Sequence, residues 1–456
     1  MGAHRVKRGL DLPIAGAPAE VIEDAPAVAA VAVVAADYPF MRPKMHVQVG
    51  DAVKRGQLLF EDRKSEGVRF CAPAAGTVAA IHRGARRALQ SVVIALSDSE
   101  REGGGPDDHL AFEAYTGAAP SQLDAEAVKA LLVESGLWTA LRQRPFGTVP
   151  SPRTSAAALF VTAIDTNPLS GRAAAILQGR GDDFRAGLEA VAKLTPRTFL
   201  CKRAGADIPE APAGVSVEEF TGPHPAGLPG THIHMVYPAH VDRVVWHLDH
   251  QDVVAVGRLL RAGRVDVERV VALAGPVVKR PRLLRTRLGA ALDTLVAGEL
   301  EGGDNRVVSG SVVSGRKAMG EVHGYLGRYD SVISCLAEDR ERVLFGWLAP
   351  GANKHSTVRA FLSALLPKRR FAMTTTTHGS HRAMVPIGMY ERVMPLDVLP
   401  TFLLRALLME DLERAEALGA LELIEEDLAL CSYVSPGKED YGVALRNNLY
   451  QIWKDG

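Results

Sequence analysis

The sequence predicts a chain of several α/β and α+β domains, and three patterns carry that expectation. Short apolar runs such as "MHVQVG" and "SVVIAL", set among Gly and Pro, read as small antiparallel strands over the first 97 residues. From Ser121 onward strand-like and helix-like segments alternate, which is the signature of a parallel sheet with crossover helices. Beyond about residue 340 the stretches "LPTFLLRALLMEDLERAEALG" and "YGVALRNNLYQIWKDG" read as helices. A chain of 456 residues exceeds one hydrophobic core. Its 47% apolar and 23% charged content are those of a globular protein.

Charge and cysteine usage exclude whole classes of function. Lys plus Arg equals Asp plus Glu, 53 of each, so no positive excess exists to neutralise a phosphate backbone, and nucleic acid is not an expected partner. The four cysteines, Cys71, Cys201, Cys335 and Cys431, form no CxxC, which argues against a disulfide framework or a structural zinc site and for a reducing compartment. The longest small-apolar run, "AVAAVAVVAA", is half of the roughly 20 residues that span a bilayer, so it reads as a buried strand. The basic start "MGAHRVKRGLDLPIAG" lacks the apolar core of a secretion signal, and Arg5, Val6 and Lys7 lie where a myristoylation site needs Ser or Thr.

The N-terminal unit, residues 1–97, carries the skeleton G-D-x-V-x-x-G-x-x-L from Gly50, a lysine at 64, then A-P-x-x-G-x-V. This resembles the barrel-sandwich fold of lipoyl and biotinyl carrier domains. Gly50 and Gly56 suit hairpin turns that need positive φ, and Ala72, Pro73 and Gly76 suit the return strand. Carriers have D-K-A or M-K-M around their attachment lysine, whereas this chain has Arg63-Lys64-Ser65, so the fold is expected without the swinging arm.

After the charged, glycine-rich linker at 98–112 a second unit, 113–250, is expected to be Rossmann-like. "SQLDAEAVKALLVESG" reads as a helix capped by Ser121 and ended by Gly136, with Val128, Leu131 and Leu132 on one face. "AALFVTAID" reads as a strand, "DDFRAGLEAVAKL" as a helix burying Phe184, Leu188 and Val191, and "RTFLCK" as another strand. No GxGxxG or GxxxxGK[ST] follows any of these strands, so the unit lacks a phosphate-cradling loop. A third unit, 251–335, opens with the helix "DVVAVGRLLRAG" and mixes short strands with helices. The fourth, 336–456, is mainly helical. His232 and His234 form an HxH whose rings would share one face of a strand, and His378 and His381 lie in a polar loop. Without an evident third ligand both pairs read as structural.

Taken together, "RGLDLPIAG", "MRPKMHVQVGDAVKRGQLLFEDRK", "APAAGTV", "ESGLWTALRQRPF", "FVTAIDTNPL", "GPHPAGLPGTHIH" and "CSYVSPGKEDYG" resemble the NqrA family, the A subunits of sodium-translocating NADH:quinone oxidoreductases, from about residue 5 to the C-terminus. The resemblance implies a β-grasp fold of the soluble-ligand-binding type for 251–335. It also implies kinship with the C subunit of the Rnf complex and with the flavin-carrying subunit of respiratory complex I. Those relatives have a G-x-G-G-A-G-F-P-T loop for flavin and NADH, where this chain has "GLWTALRQRPFGTVP" with Trp138, Leu141 and Arg142 in the space that glycine leaves open. They also have a C-x-x-C-x-x-C-x-x-x-C-P run for an iron–sulfur cluster, of which only Cys431 remains, with Leu423, Glu426 and Ser435 near the other positions.

The family therefore implies a peripheral subunit on the cytoplasmic side of the bacterial inner membrane, docked on the membrane-embedded B subunit. The whole complex oxidises NADH, reduces ubiquinone to ubiquinol and exports Na+. No cofactor, catalytic residue or metal ligand is expected on this chain; FMN, FAD, riboflavin and a 2Fe-2S centre are implied for partner subunits. A quinone needs an apolar slot with an aromatic or methionine wall and a few donors. Two segments have that composition, Tyr38, Phe40, Met41 and Arg42, and Trp138, Arg142 and Phe146; the same residue types also suit a subunit interface or internal packing. Two other readings compete: a carrier domain fused to a metabolic enzyme, with a covalent group on Lys64, and a coloured flavin or iron–sulfur NADH dehydrogenase subunit.

Overall fold

The computed structural model describes residues 2–340 and 348–455. Two small antiparallel sheets form the barrel-sandwich. In one, Ala30–Val34, Leu89–Leu96, Gly76–Arg83 and Ala52–Val53 lie side by side, and in the other Leu58–Asp62 lies between Pro43–Met45 and Arg69–Cys71. Alternation of apolar residues along these strands turns Val31, Val78, Val92 and Ile94 inward, and the consecutive Leu59 and Phe60, at a register shift in their strand, are both fully buried as well. Gly76, at φ 156°, accommodates the carbonyl of Ala95, which a Cβ there would meet at 1.9 Å.

The α/β unit is a six-stranded sheet in the order Gly2–Arg5, Val215–Thr221, Thr198–Arg203, Ala158–Ala163, Val245–Asp249, Arg142–Arg144. Five strands are parallel, and Arg142–Arg144 closes the edge antiparallel. Ala158–Ala163 is buried along its whole length, as a strand covered on both faces must be. The helix Gly181–Val191 buries Phe184, Leu188 and Val191 completely, as its periodicity predicts. It packs against His250–Ala262 at backbone contact: a Cβ on Gly187 would lie 1.9 Å from the carbonyl of Val253, and one on Gly257 1.8 Å from that of Asp183. The helix Ala125–Glu134 is capped by Asp124, whose carboxylate accepts the Ala127 N–H at 2.8 Å, and not by Ser121, which lies in a preceding 3-10 turn. Aspartate at 124 sits directly before the first helical residue, which is where an N-cap must be.

A second six-stranded sheet runs Arg316–Lys317, Asn305–Ser309, Val332–Ala337, Glu268–Ala274, Arg282–Arg287, Ala19–Asp24. The first 24 residues thus add one strand to each six-stranded sheet before the chain enters the barrel-sandwich. From 348 to 388 the chain is irregular apart from one 3-10 turn at Leu362–Leu365 and isolated bridges at Phe371 and Thr374, and helices resume at Met389–Val393, Pro400–Leu408, Leu412–Ala417, Ala429–Val434 and Tyr441–Asp455. These helices share a core with Leu12, Ile14, Val270, Leu283 and Val332, so the helical region is seated on the second sheet. Among the described residues no helix is long and apolar enough to cross a membrane.

Candidate functional site

The two aromatic segments meet where the barrel-sandwich, the α/β sheet edge and the C-terminal helix converge. Tyr38 follows the 3-10 turn Ala35–Asp37 and is buried, its ring edge-on to Phe70 with centroids 4.6 Å apart and edge-on to Tyr329 at 6.1 Å. Phe40 takes the left-handed backbone region at φ 65°, a conformation that costs a non-glycine residue about 1–2 kcal/mol. The surroundings offset that cost: the Phe40 ring lies 5.1 Å from Trp453 and 5.4 Å from Tyr450, and Arg446 places its guanidinium 5.1 Å over the ring. Phe146 is also left-handed, at φ 79°, and its carbonyl accepts an N–H from Arg446 at 2.7 Å. One arginine of the terminal helix therefore fixes both strained phenylalanines, the pattern expected where backbone strain is held at a functional position.

Tyr38, Phe40 and Met41 line a cavity of about 50 Å³ together with Phe70, Gln143 and Trp453. Its wall is aromatic and its rim carries Asp62, Ser65 and Thr148 as polar groups. A neighbouring cavity of about 60 Å³ shares Tyr38 and Phe70 and is lined on its polar side by Asp37, Ser135, Thr139 and Arg328. Asp37 accepts the Arg328 backbone N–H at 2.8 Å, and the Arg316 guanidinium stands 3.7 Å away. Burial outweighs these cations and, with Asp330 nearby, raises the Asp37 carboxyl to about 6. Arg328 itself is neutralised by Asp252 at 2.9 Å, which also pairs with Arg269. Tyr329 donates its hydroxyl to the carbonyl of Thr139 at 2.8 Å and takes the Arg142 guanidinium 4.8 Å over its ring. The two cavities share Tyr38 and Phe70 and form one aromatic junction, with the raised Asp37 carboxyl at its end.

The remaining residues singled out from the sequence fall in different places. Trp138 is completely buried, edge-on to Trp246, with its indole N–H donated to the carbonyl of Pro150 at 2.7 Å; it fills core volume and lines neither cavity. Leu141 is equally buried beside it. Arg42 is exposed, its backbone N–H held by Asp62 at 3.0 Å. Cys431 is buried in the helical core, and burial pushes its thiol up to about 12. Leu423 is core; Glu426 faces Arg144 at 3.7 Å and Arg142 at 3.9 Å; Ser435 is buried beside the Tyr390 hydroxyl. Among the described residues no three His, Cys, Asp or Glu side chains gather as metal ligands would.

Lys64 sits at the exposed tip of the hairpin between Leu58–Asp62 and Arg69–Cys71, with its ammonium 5.6 Å over the Trp453 ring. His232 and His234 lie on the helix Pro229–Val236 and not on a strand. Proline at the first helical position is the local signal for this, and two residues apart on a helix the rings diverge. His232 packs on Phe220 and contacts the carbonyl of Ala226, with burial lowering it to about 3, while His234 bridges Glu422 at 2.8 Å and the Asp397 N–H at 2.8 Å. Both are structural. His381 pairs with Glu439 on the surface at 2.8 Å. Sequence reasoning missed Asp37, Tyr329, Arg446 and Trp453; Tyr450 and Trp453, three apart on the last helix, were the available signal for an aromatic face.

Comparison with known proteins agrees with this anatomy. Residues 4–97 match the family described as the NqrA N-terminal barrel-sandwich hybrid domain, 123–265 the NqrA second alpha/beta domain, and 270–320 the NQRA C-terminal domain. The A subunits of the Na(+)-translocating NADH-quinone reductases from Shewanella amazonensis, Pseudomonas aeruginosa and Neisseria gonorrhoeae are 54%, 53% and 52% identical. In each case 99% of this chain is covered, against 99%, 100% and 100% of the relative.

Proposed function

Because this chain belongs to the NqrA family, the A subunits of Na(+)-translocating NADH-quinone reductases, we propose that it works at the quinone-reducing end of such a complex, as a peripheral component on the cytoplasmic face, docked on the membrane-embedded B subunit. In this reading the complex oxidises NADH, reduces ubiquinone and exports Na+, and the chain contributes binding and positioning, with FMN, FAD, riboflavin and the 2Fe-2S centre held by its partners. The observation that carries it is the aromatic junction of Tyr38, Phe40, Tyr329 and Trp453. A planar quinone head is bound by aromatic faces and by donors to its two carbonyl oxygens. Arg142 and Arg446, already stacked on this junction, are such donors, and Asp37, raised to about 6, is placed to supply a proton as the quinone is reduced. The α/β unit supports the same assignment from the other side, since Trp138 and Leu141 occupy the core where a dinucleotide loop would need open space.

The test is Phe40→Ala and Trp453→Ala, each introduced into the assembled complex. Loss of one stacking wall raises the KM for quinone about tenfold, while NADH oxidation by an artificial electron acceptor is unchanged. Unchanged quinone kinetics in both variants contradicts the assignment.

A further inference from the structure

Among the described residues, the segment 348–388 is a long stretch whose composition the fold does not consume. It carries Lys354, Arg359, Lys368, Arg369, Arg370 and Arg382 and no Asp or Glu, in a chain whose charges balance only with these six cations counted. Along it Val358, Leu362, Leu365, Leu366, Val385 and Ile387 are all exposed, Leu365 at 77%. Irregular stretches of this length in a compact protein serve function more often than folding. The backbone is nevertheless pinned to the body: Phe371 is buried and exchanges hydrogen bonds with Pro13 and Ala15 at 2.8 and 2.9 Å, the Thr375 N–H reaches Ala337 at 3.1 Å, and the Arg382 N–H reaches Gly437 at 2.8 Å. The leucines and cations therefore project from a held ribbon.

We infer that this ribbon is the surface on which an acidic, apolar segment of a partner protein docks; the inference deepens the assembly reading above and rests on it. An apolar row flanked by cations fits either a protein partner or an anionic lipid leaflet, and the backbone decides between them. Outside its single 3-10 turn and the isolated bridges of Phe371 to Ile14 and Thr374 to Ala337, the ribbon's peptide groups are not paired in a helix or sheet. Lipid tails offer such groups nothing, whereas an extended protein segment supplies donors and acceptors along the whole length. The absence of Asp and Glu sets the sign of the partner, because like charges in its facing segment would repel six cations.

The experiment isolates the complex from native membranes in mild detergent, with the chain as wild type, as Leu365→Asp/Leu366→Asp, or as Lys368→Glu/Arg369→Glu/Arg370→Glu. All five positions are exposed, so the purified full-length variants keep the wild-type melting temperature, which is measured first. Retention of the chain on the membrane subunits falls about tenfold or more in both variants, and raising salt weakens the wild-type contact. Wild-type retention in both variants overturns the inference. So does undiminished retention combined with sedimentation of the wild-type chain, but not the charge-reversed one, on phosphatidylglycerol vesicles, which assigns the ribbon to the leaflet. Failure of the wild-type chain to copurify with any membrane subunit would instead remove the assembly reading itself.

Discussion

Asp427→Ala tests how the terminal helices are locked onto the α/β sheet. Arg144, on the edge strand Arg142–Arg144, has a completely buried side chain; it donates to the Asp427 carboxylate at 2.7 Å and to the carbonyl of Glu422 at 2.6 Å. Asp427 is 3% exposed and also accepts the Ile424 N–H at 2.9 Å. Removing the carboxylate leaves an interior guanidinium with only Glu426, 3.7 Å away, as counter-charge and with Nε and Nη2 lacking hydrogen-bond partners. Breaking such a pair from one side costs about 3–5 kcal/mol, or a fall in melting temperature of about 4 °C for a chain of 456 residues. Deleting both charges in Arg144→Met/Asp427→Ala removes the underpaired cation and restores most of the loss. The assay is thermal unfolding by tryptophan fluorescence, with limited proteolysis to detect early release of the C-terminal helices. Gln143, next to Arg144, lines the aromatic cavity that Trp453 closes from the helical side, so the single variant also loosens the site. An unchanged melting temperature in Asp427→Ala, or a double variant no more stable than the single, refutes the reasoning.

Three further outcomes follow from the geometry. Asp37 is raised in the folded state, so the fold favours its acid form; stability falls as pH rises from about 4 through 6 and then levels off, by about 3 kcal/mol in all. Asp37→Asn removes that dependence, and its melting temperature relative to wild type rises between pH 4.5 and pH 7.5; a constant difference contradicts the assignment. Gly257→Ala drives a Cβ into the carbonyl of Asp183 and separates two tightly packed helices, at a cost of about 3 kcal/mol, read by denaturant unfolding. Arg446→Gln removes the contacts to Phe146 and Glu425 and the cation over Phe40. Quinone KM then rises without a change in NADH oxidation, measured in the assembled complex.

Local pattern carried much of this architecture. Strand and helix alternation from Ser121 announced the parallel sheet, and Phe184, Leu188 and Val191 were placed correctly by helical period alone. What escaped depends on distant partners. Gly2–Arg5 pairs with residues 215–221 and Ala19–Asp24 with 282–287, and nothing within "LPIAG" states that the N-terminal strands serve other sheets. The HxH spacing suits a strand as well as a helix until Pro229 is weighed. Tyr38, Phe40 and Met41 were legible by composition as a site wall, while Trp453, which completes it, and Tyr329, which packs behind Tyr38, lie some 300 to 400 residues along the chain and meet it only through the fold. Trp138 had the right chemistry for that wall, but its indole N–H is spent on Pro150 inside the core.

The most direct test of the central claim is affinity purification of this chain from native membranes in mild detergent, with NADH:quinone reductase activity assayed in what is recovered. The account predicts that membrane-embedded flavoprotein subunits accompany it and that the recovered assembly reduces quinone in a Na+-dependent manner. Recovery of the chain alone, or with acyl-transfer enzymes and a mass increment on Lys64, would contradict it.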